Sequence, residues 1–320
     1  MKFANFALPV ILFFMVPATY LAVRYEYILT LFSFICLWAT LSMAWNILAG
    51  YAGQISFGNH ALFGIAAYTT ILLTLHYNFT ASLSVFIGAG IATLLALLIG
   101  TITLRMRGYY FSLATLAFPL MLGAVFPYLG YVEVFVPYRG FDPINLQFGP
   151  YNRIVFYFIF AIILVIFTVI CKKIDGSRMG TYFKAIRDDL ETAESVGIPT
   201  FRYKLIAWAI SAFASGVIGS LYTYFILVVT PWVFAGEVNL KIIAISTLGG
   251  PGTVYGPIIG SFILVPLSEI LAAFLSGIIP GLHLLIYGVF LTFEIIFIPE
   301  GLYPRLATIF RARAQRGGRS

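Results

Sequence analysis

The sequence predicts an all-α polytopic membrane protein with about ten transmembrane helices. Hydrophobic residues make up 61% of the chain and charged residues only 10%, whereas soluble domains carry roughly 25% charged residues. The apolar runs are continuous and approach the length of about 20 residues that a membrane-spanning helix needs. Because these runs do not alternate with polar residues, they exclude a transmembrane β-barrel.

The helices are expected wherever an apolar run is long enough to cross the bilayer. The run at 6–23 is interpreted as a retained first helix, because no clear small-x-small cleavage site follows it. The eighth run is too short to span alone, and its helix is expected to begin nearer Trp232. Stripes of small residues every four positions, as at Gly88, Ala92, Ala96 and Gly100, predict closely packed helices. The predicted helices are 6–23, 27–47, 58–75, 81–104, 108–126, 153–171, 205–229, 238–248, 254–274 and 281–298.

The distribution of Lys and Arg predicts that both termini are cytoplasmic. With ten crossings, 15 of the 19 Lys and Arg residues fall on the side of the termini and three on the other, while Lys241 is ambiguous. Residues 1–304 would form the transmembrane domain, with the charged segment 172–204 inside it. The tail, 305–320, holds five of the basic residues, and a topology anchor explains it better than nucleic-acid binding.

One charged segment, 172–204, interrupts the apolar chain and holds 12 of its 31 Asp, Glu, Lys and Arg residues. Within it, Thr181 is expected to cap a helix of about four turns that ends at Gly197, before Pro199. Apolar residues recur on one face of this helix and charged residues on the other. The charges are mixed in sign, which favours a protein partner over the lipid surface. Thr200 is expected to cap the next membrane helix.

Two glycine-rich stretches break the apolar runs, one after the second helix and one after the eighth. Such paired breaks are typical of translocation pathways in transporters, and irregular backbone at membrane depth must be buried or line a cavity. Tight cytoplasmic turns are the alternative, and both interpretations stay open. The pathway candidates are Gly50, Gly53, Gln54, Ser56, Gly58, Asn59 and His60 in the first break and Gly249, Gly250, Gly252 and Gly256 in the second.

Two intramembrane charges, Lys241 and Glu269, are expected to form a structural ion pair. Each lies near the outer end of its helix, and antiparallel neighbours would bring them to the same depth; proton coupling is the second interpretation. No nucleotide-binding loop with its lysine is present. The histidines are far apart without acidic or cysteine companions, so no metal, cofactor or catalytic site is expected in this chain.

Four blocks carry a resemblance to a known family. Glu191-Thr-Ala193-Glu-Ser-Val-Gly197 resembles the EAA-xxx-G motif of ABC importer permeases, with Thr192 in place of the usual first alanine. The block Asn46–Tyr68, with GYAGQISFG, is similar to that of the branched-chain amino acid permeases, and more so to the LivM-type subunit than to the LivH-type. The other two blocks of similarity are Gly249–Gly260 and Pro299–Leu302.

The resemblance implies a non-enzymatic permease subunit of an importer for branched-chain amino acids in the cytoplasmic membrane. Its implied partners are a LivH-type permease, two cytoplasmic ATPases that bind ATP and Mg²⁺, an extracytoplasmic solute-binding protein and membrane lipid. Urea, short amides or other amino acids are alternative substrates, and a gradient-driven secondary transporter is the alternative of a different class. The residues expected to couple the chain to the ATPases are Arg187, Asp188, Glu191, Ala193, Gly197 and Lys204.

Overall fold

The computed structural model describes residues 26–106, 109–136, 150–275, 282–297, 300–305 and 308. The predicted first helix and nearly all of the basic tail lie outside these residues. The helices in the described part are α1 (Glu26–Asn46), α2 (Asn59–Tyr77), α3 (Ala81–Thr103), α4 (Tyr109–Tyr128), α5 (Pro150–Asp175), α6 (Arg178–Asp188), α7 (Leu190–Ser195), α8 (Thr200–Ile226), α9 (Gly236–Gly249), α10 (Gly256–Leu275) and α11 (Leu282–Phe297).

Three short elements complete this part of the fold. A five-residue π-helix, Ile47–Tyr51, continues α1, and a 3-10 helix, Pro231–Phe234, precedes α9 near the position that the sequence predicts. The strands β1 (Val134–Phe135) and β2 (Val228–Val229) pair antiparallel. Among the residues that the structure describes, five helical segments are long and apolar enough to cross a membrane: 27–51, 81–103, 109–128, 153–175 and 200–226.

The helices follow the predicted apolar runs. The stretch between the membrane helices α5 and α8, however, is shorter than the charged segment 172–204, because both helices extend into that segment. Lys172 and Lys173 belong to the last turn of α5, and α8 begins at Thr200 instead of the predicted residue 205. Pro199 explains the early start, because its fixed φ and missing N–H suit the entry to a helix. The prediction that Thr200 caps α8 is wrong, since Pro199 occupies that position and no side chain caps the helix.

Helix α8 is the centre of the bundle. It packs against α2, α3 and α1, while α1 also packs against α5, α9 and α10. The predicted stripe on α3 is confirmed, because all four of its small residues are buried. Close approach is the reason for the small side chains: a Cβ on Gly216 would lie 2.8 Å from the Cα of Ala89, and one on Gly219 would lie 2.1 Å from the carbonyl oxygen of Phe63.

The bundle has two ends of different character. At one end the Arg105 guanidinium carbon lies 5.4 Å from the centre of the Phe201 ring, beside the start of α8 and next to α6 and α7. At the other end, after α8, the strands β1 and β2 pair and the 3-10 helix follows. Because α8 spans 27 residues, it separates these ends by roughly 40 Å at 1.5 Å per residue.

Two Gly→Ala substitutions test the packing against α8. Gly219→Ala should lower stability by about 1–3 kcal/mol, because the new methyl group meets the backbone of Phe63. Gly90→Ala is the matched control: no atom lies within 4 Å of its added Cβ, so it should leave stability unchanged or raise it by about 0.5–1 kcal/mol. Thermal unfolding of both variants in detergent measures the difference, and equal melting temperatures would contradict the packing argument.

Candidate functional site

The charged segment folds as two helices and not as the single helix predicted. Ser177, not Thr181, caps α6, and its Oγ accepts a hydrogen bond from the backbone N–H of Gly180. The chain then breaks at Asp189, which has extended backbone angles. Asp189 Oδ1 accepts hydrogen bonds from the backbone N–H groups of Glu191 at 2.9 Å and Thr192 at 3.0 Å. An aspartate that bonds its own downstream backbone ends one helix and begins the next.

The end of α7 agrees with the prediction at Gly197. This glycine has a φ of +85°, the left-handed conformation that residues with a Cβ adopt at a cost. Its N–H donates to the carbonyl of Glu194, and the N–H of Ile198 donates to the carbonyl of Ala193. These two bonds form a Schellman motif, which satisfies the last carbonyls of the helix. Thr200 Oγ1 donates to Glu194 Oε1 at 2.8 Å and so ties α8 to α7.

Helices α6 and α7 present an apolar face to the bundle and a charged face away from it. Phe183, Ile186 and Ala193 are buried. The sequence predicted an apolar face of Tyr182, Ile186, Leu190 and Ala193, and this prediction missed Phe183. Lys204 is also buried and lines a hollow of about 390 Å³ with Arg105 and Glu194, among others. The charged residues exposed on the opposite face include Arg187, Asp188, Glu191 and Glu194.

The two glycine-rich breaks, far apart in sequence, meet beside α6. The side chain of Asn46 joins them: its Oδ1 accepts from the N–H of Gly252 at 2.8 Å, and its Nδ2 donates to the carbonyl of Thr253 at 2.9 Å. Arg187 Nη1 donates to the carbonyl of Gly50 at 3.1 Å. The charged segment is therefore in direct contact with the first break, and Asn46 connects that break to the second.

Glycine is required here by space as well as by backbone angle. A Cβ on Gly50 would lie 2.4 Å from the backbone nitrogen of Gly252, and one on Gly53 would lie 2.9 Å from the Cα of Arg187. Gly252 has a φ of +72°, and its added Cβ would lie 2.8 Å from Arg187 Nη1. A Cβ on Gly301, in the last of the four family-like blocks, would lie 2.2 Å from the Cα of Gly250. Three of the four blocks thus pack together at this end of the bundle, beside Arg187 of the charged segment that also holds the fourth block.

The remaining candidates of the second break are also tightly packed. A Cβ on Gly249 would lie 1.8 Å from the carbonyl oxygen of Gly256. A Cβ on Gly256 would meet Thr253 Oγ1 at 2.4 Å, and the backbone N–H of Gly256 donates to this hydroxyl at 3.1 Å. These contacts leave the break no room for larger residues.

Ser56, Asn59 and His60, the polar residues at the end of the first break, are buried, and most of their polar atoms are hydrogen-bonded inside the bundle. Asn59 Nδ2 donates to Ser215 Oγ, and Asn59 Oδ1 accepts from Ser211 Oγ, each at 2.9 Å. His60 Nε2 lies 3.1 Å from the carbonyl of Phe234. Ser56 is buried and its Oγ accepts from the N–H of Gly58. Hydrogen bonding of this kind is what buried polar groups require.

Gln54 and Gly58 occupy different environments. Gln54 is half-buried, and its backbone N–H donates to the carbonyl of Leu48. A Cβ on Gly58 would lie 2.4 Å from the carbonyl oxygen of Thr115, so this glycine lets α4 approach the first break. Gly53, by contrast, is exposed beside α6.

The structure brings Lys241 and Glu269 together. Lys241 Nζ lies 3.8 Å from Glu269 Oε1 and 4.7 Å from the centre of the Trp38 ring. Among the described residues, no group of three or more His, Cys, Asp and Glu side chains is arranged to hold a metal ion. Cys36 and Cys171 are buried free thiols. The Lys241–Glu269 ion pair is therefore held between α9 and α10, against the Trp38 ring of α1.

Sequence reasoning missed one residue, Asn46, and one contact, that of Arg187 with Gly50, that organise the breaks. Asn46 is a polar residue inside an apolar run, four positions before Gly50. A polar side chain at such a position indicates a hydrogen-bonding role at the break, so Asn46 could have been found from the sequence. The contact of Arg187 with Gly50 left no signal, because the two residues are 137 positions apart.

Comparison with known proteins shows which family this architecture represents. Residues 27–295 match the family model described as branched-chain amino acid transport system / permease component. The chain belongs to this family. The family is a transport permease component and not an enzyme, and its apolar helices make the chain a multi-pass membrane protein. No solved structure gives a significant match.

The curated relatives include both permease types of this family. The high-affinity branched-chain amino acid transport system permease protein LivM of Escherichia coli (strain K12) is 25% identical over 291 residues, covering 82% of this chain and 67% of that protein. LivM of Salmonella typhimurium is 25% identical over 289 residues. LivH of Escherichia coli (strain K12) is 33% identical over only 100 residues, 31% of this chain and 32% of LivH. The chain is therefore a LivM-type member of the family.

Removal of the Asp189 carboxylate tests the break between α6 and α7. Its accepted bonds, chiefly from the Thr192 N–H, then from the Thr192 hydroxyl and the Glu191 N–H, hold the pKa of this carboxyl below its ordinary value of 3.8. Because the folded pKa is lowered, the cap stabilises α7 fully at neutral pH and is lost as the pH falls through that lowered pKa.

Asp189→Ala should accelerate amide exchange at Glu191 and Thr192 several-fold at pH 7, because both N–H groups lose their acceptor. Asp189→Ser, which keeps an acceptor, should preserve the protection, and Asp188→Ala is the control at an adjacent exposed carboxylate. Hydrogen–deuterium exchange at residue resolution measures the effect. Equal exchange in the alanine and serine variants would exclude capping by Asp189.

Proposed function

We propose that this chain is a membrane-spanning permease subunit of an ATP-binding-cassette importer for branched-chain amino acids. It would work by alternating access, with ATP hydrolysed in partner subunits. The single observation that carries the proposal is the meeting of three family-like blocks at one end of the bundle, where Arg187, from the charged segment that holds the fourth block, donates to the Gly50 carbonyl.

The partners follow from the same proposal. α6 and α7 would seat in the ATPase subunits through their exposed charged face, with Arg187, Asp188 and Glu191 outermost and Ala193, Gly197 and Lys204 supporting the fold of this surface. The 33% identity to LivH over 100 residues supports a LivH-type permease as the second membrane subunit. A solute-binding protein would deliver substrate at the opposite end, across the cytoplasmic membrane of a prokaryote.

In this arrangement both termini and the charged segment are cytoplasmic, and the two glycine-rich breaks form the closed inner part of the pathway. Their packing supports this role, because the Gly50 and Gly252 backbones lie close together and would block the pathway. Arg187 bonds to Gly50, so a small shift of Arg187 would disturb this barrier. The polar side chains beyond it, Asn59 and His60, would line the route when the barrier opens.

Arg187→Met tests whether α6 transmits motion to the breaks. The variant loses the hydrogen bond to Gly50 but keeps an aliphatic side chain of similar length. In proteoliposomes that contain the full set of proposed subunits, ATP hydrolysis should continue while uptake of radiolabelled leucine per ATP falls several-fold. Arg178→Met, at an exposed position in the first turn of the same helix, is the control. An unchanged ratio of leucine to ATP in the Arg187 variant would contradict transmission.

Glu191→Arg tests the docking surface itself. Reversing an exposed charge on α7 should weaken co-purification of the ATPase subunits and abolish most ATP-dependent uptake, while membrane insertion stays normal. Glu133→Arg makes the same reversal at an exposed position at the other end of the bundle and should leave co-purification of the ATPase subunits unchanged. Equal co-purification of the ATPases with the two variants would remove the support for docking through α7.

Reconstitution also separates the importer from a secondary transporter. The complete set of subunits should take up leucine only when ATP is present. Uptake by this chain alone, driven by an ion gradient without ATPases, would overturn the proposed function and favour coupling through Lys241 and Glu269.

A further inference from the structure

A cavity of about 450 Å³ lies between α1, α9, α10 and α11, away from the glycine-rich breaks. Its volume is within the range of about 300–1,000 Å³ that is typical of small-molecule sites. It lies toward the end of the bundle where the 3-10 helix enters α9, and Trp232 of that short helix contributes to its wall. In the proposed orientation this is the end where substrate arrives.

Three charged side chains line this cavity: Lys241, Glu269 and Glu237. The Lys241 side chain is only 16% exposed, and its Nζ lies 3.8 Å from Glu269 Oε1. Directly hydrogen-bonded pairs of this type are closer, about 2.7–2.9 Å. Glu237 is one turn before Lys241 on α9, and its Oε1 accepts a hydrogen bond from Trp232 Nε1. A cation and two carboxylates therefore face one small space.

The rest of the wall is aromatic and aliphatic. Phe34 and Trp38 of α1, Tyr222 of α8 and Leu271 of α10 line the cavity, and the Trp38 ring lies beneath the ammonium group of Lys241 at 4.7 Å. Such a wall favours an apolar group of a ligand. One side of the cavity is thus suited to charge and the other to hydrocarbon.

We propose that this cavity binds an amino acid zwitterion with an apolar side chain during translocation. Lys241 would hold the α-carboxylate and Glu269 and Glu237 the α-ammonium group, while the wall formed by Phe34, Trp38 and Tyr222 takes the side chain. The inference rests on the proposed function, because it assigns a substrate site within the proposed importer.

Charge balance selects this class of ligand. A zwitterion is neutral overall and offers one opposite charge to each member of the Lys241–Glu269 pair, so its entry leaves neither member of that pair uncompensated, while Glu237 also accepts from Trp232. Urea carries no charge and would separate the pair without replacing either partner. An amino acid with an acidic side chain would bring a second anion against the carboxylates of Glu237 and Glu269 and the negative ring faces of Phe34 and Trp38. The cavity therefore favours apolar amino acids over urea and over acidic amino acids.

Direct binding to the complete membrane complex in nanodiscs, without the solute-binding protein, tests the site. [³H]Leucine should bind and should be displaced by isoleucine. Leucinamide lacks the carboxylate and 4-methylpentanoate lacks the ammonium group, so each should compete at least about tenfold more weakly, as should urea. Equal competition by leucine and by either truncated analogue would overturn the zwitterion assignment.

Variants locate the binding in the cavity. Lys241→Met and Glu237→Gln should each weaken leucine binding at least about tenfold, whereas Lys241→Arg, which keeps the charge, should stay within about threefold of the wild type. Lys173→Met is the matched control, at an exposed position near the opposite end of the bundle. Wild-type affinity in both Lys241→Met and Glu237→Gln would overturn the proposal.

If Lys241→Met does not assemble, Glu237→Gln and Trp38→Ala decide the question, and wild-type leucine affinity in both overturns it. The proposed function has a separate readout, which is ATP-driven uptake by the unaltered complex. If ATP-driven uptake is observed and the cavity variants bind leucine normally, only the assignment of the substrate site to this cavity is overturned. Absence of ATP-driven uptake by the unaltered complex counts against the importer itself.

Discussion

The need to satisfy backbone polar groups where helices break inside an apolar bundle governs one end of this structure. No lipid or hydrocarbon group can replace a lost backbone hydrogen bond. Asn46 meets this need with one side chain, since its amide accepts from Gly252 and donates to Thr253. The absence of side chains at Gly50 and Gly252 brings the two breaks close enough for this single amide to join them.

The charged helices depend on this junction for their position. Arg187 donates to the Gly50 carbonyl, and Gly53 lets the backbone of Arg187 approach. Movement of α6 would therefore act directly on both breaks. Tightly packed contacts of this kind switch between discrete arrangements more readily than they deform, which suits a barrier that must open and close.

The proposed substrate cavity lies away from this junction, along α1, α9 and α10. Helices α9 and α10 connect the two, since the second break joins the end of α9 to the start of α10 and the same helices carry Lys241 and Glu269. A rearrangement at the break would thus shift the two helices that hold the ion pair. Coupling between ATPase docking and substrate release would travel along these rigid elements.

The sequence by itself determined the membrane helices, the small-residue stripes and the turn at Gly197, because each depends on neighbouring residues: a continuous apolar run, a four-residue spacing, or one backbone angle. The common depth of Lys241 and Glu269 was also predictable, because the direction of each helix follows from the order of the membrane crossings. The tertiary structure decided what depends on distant partners. Four features depend on contacts that only the folded chain makes, and a local sequence pattern does not encode such contacts. They are the break at Asp189, the role of Asn46, the contact of Arg187 with Gly50 and the position of Glu237 beside the ion pair.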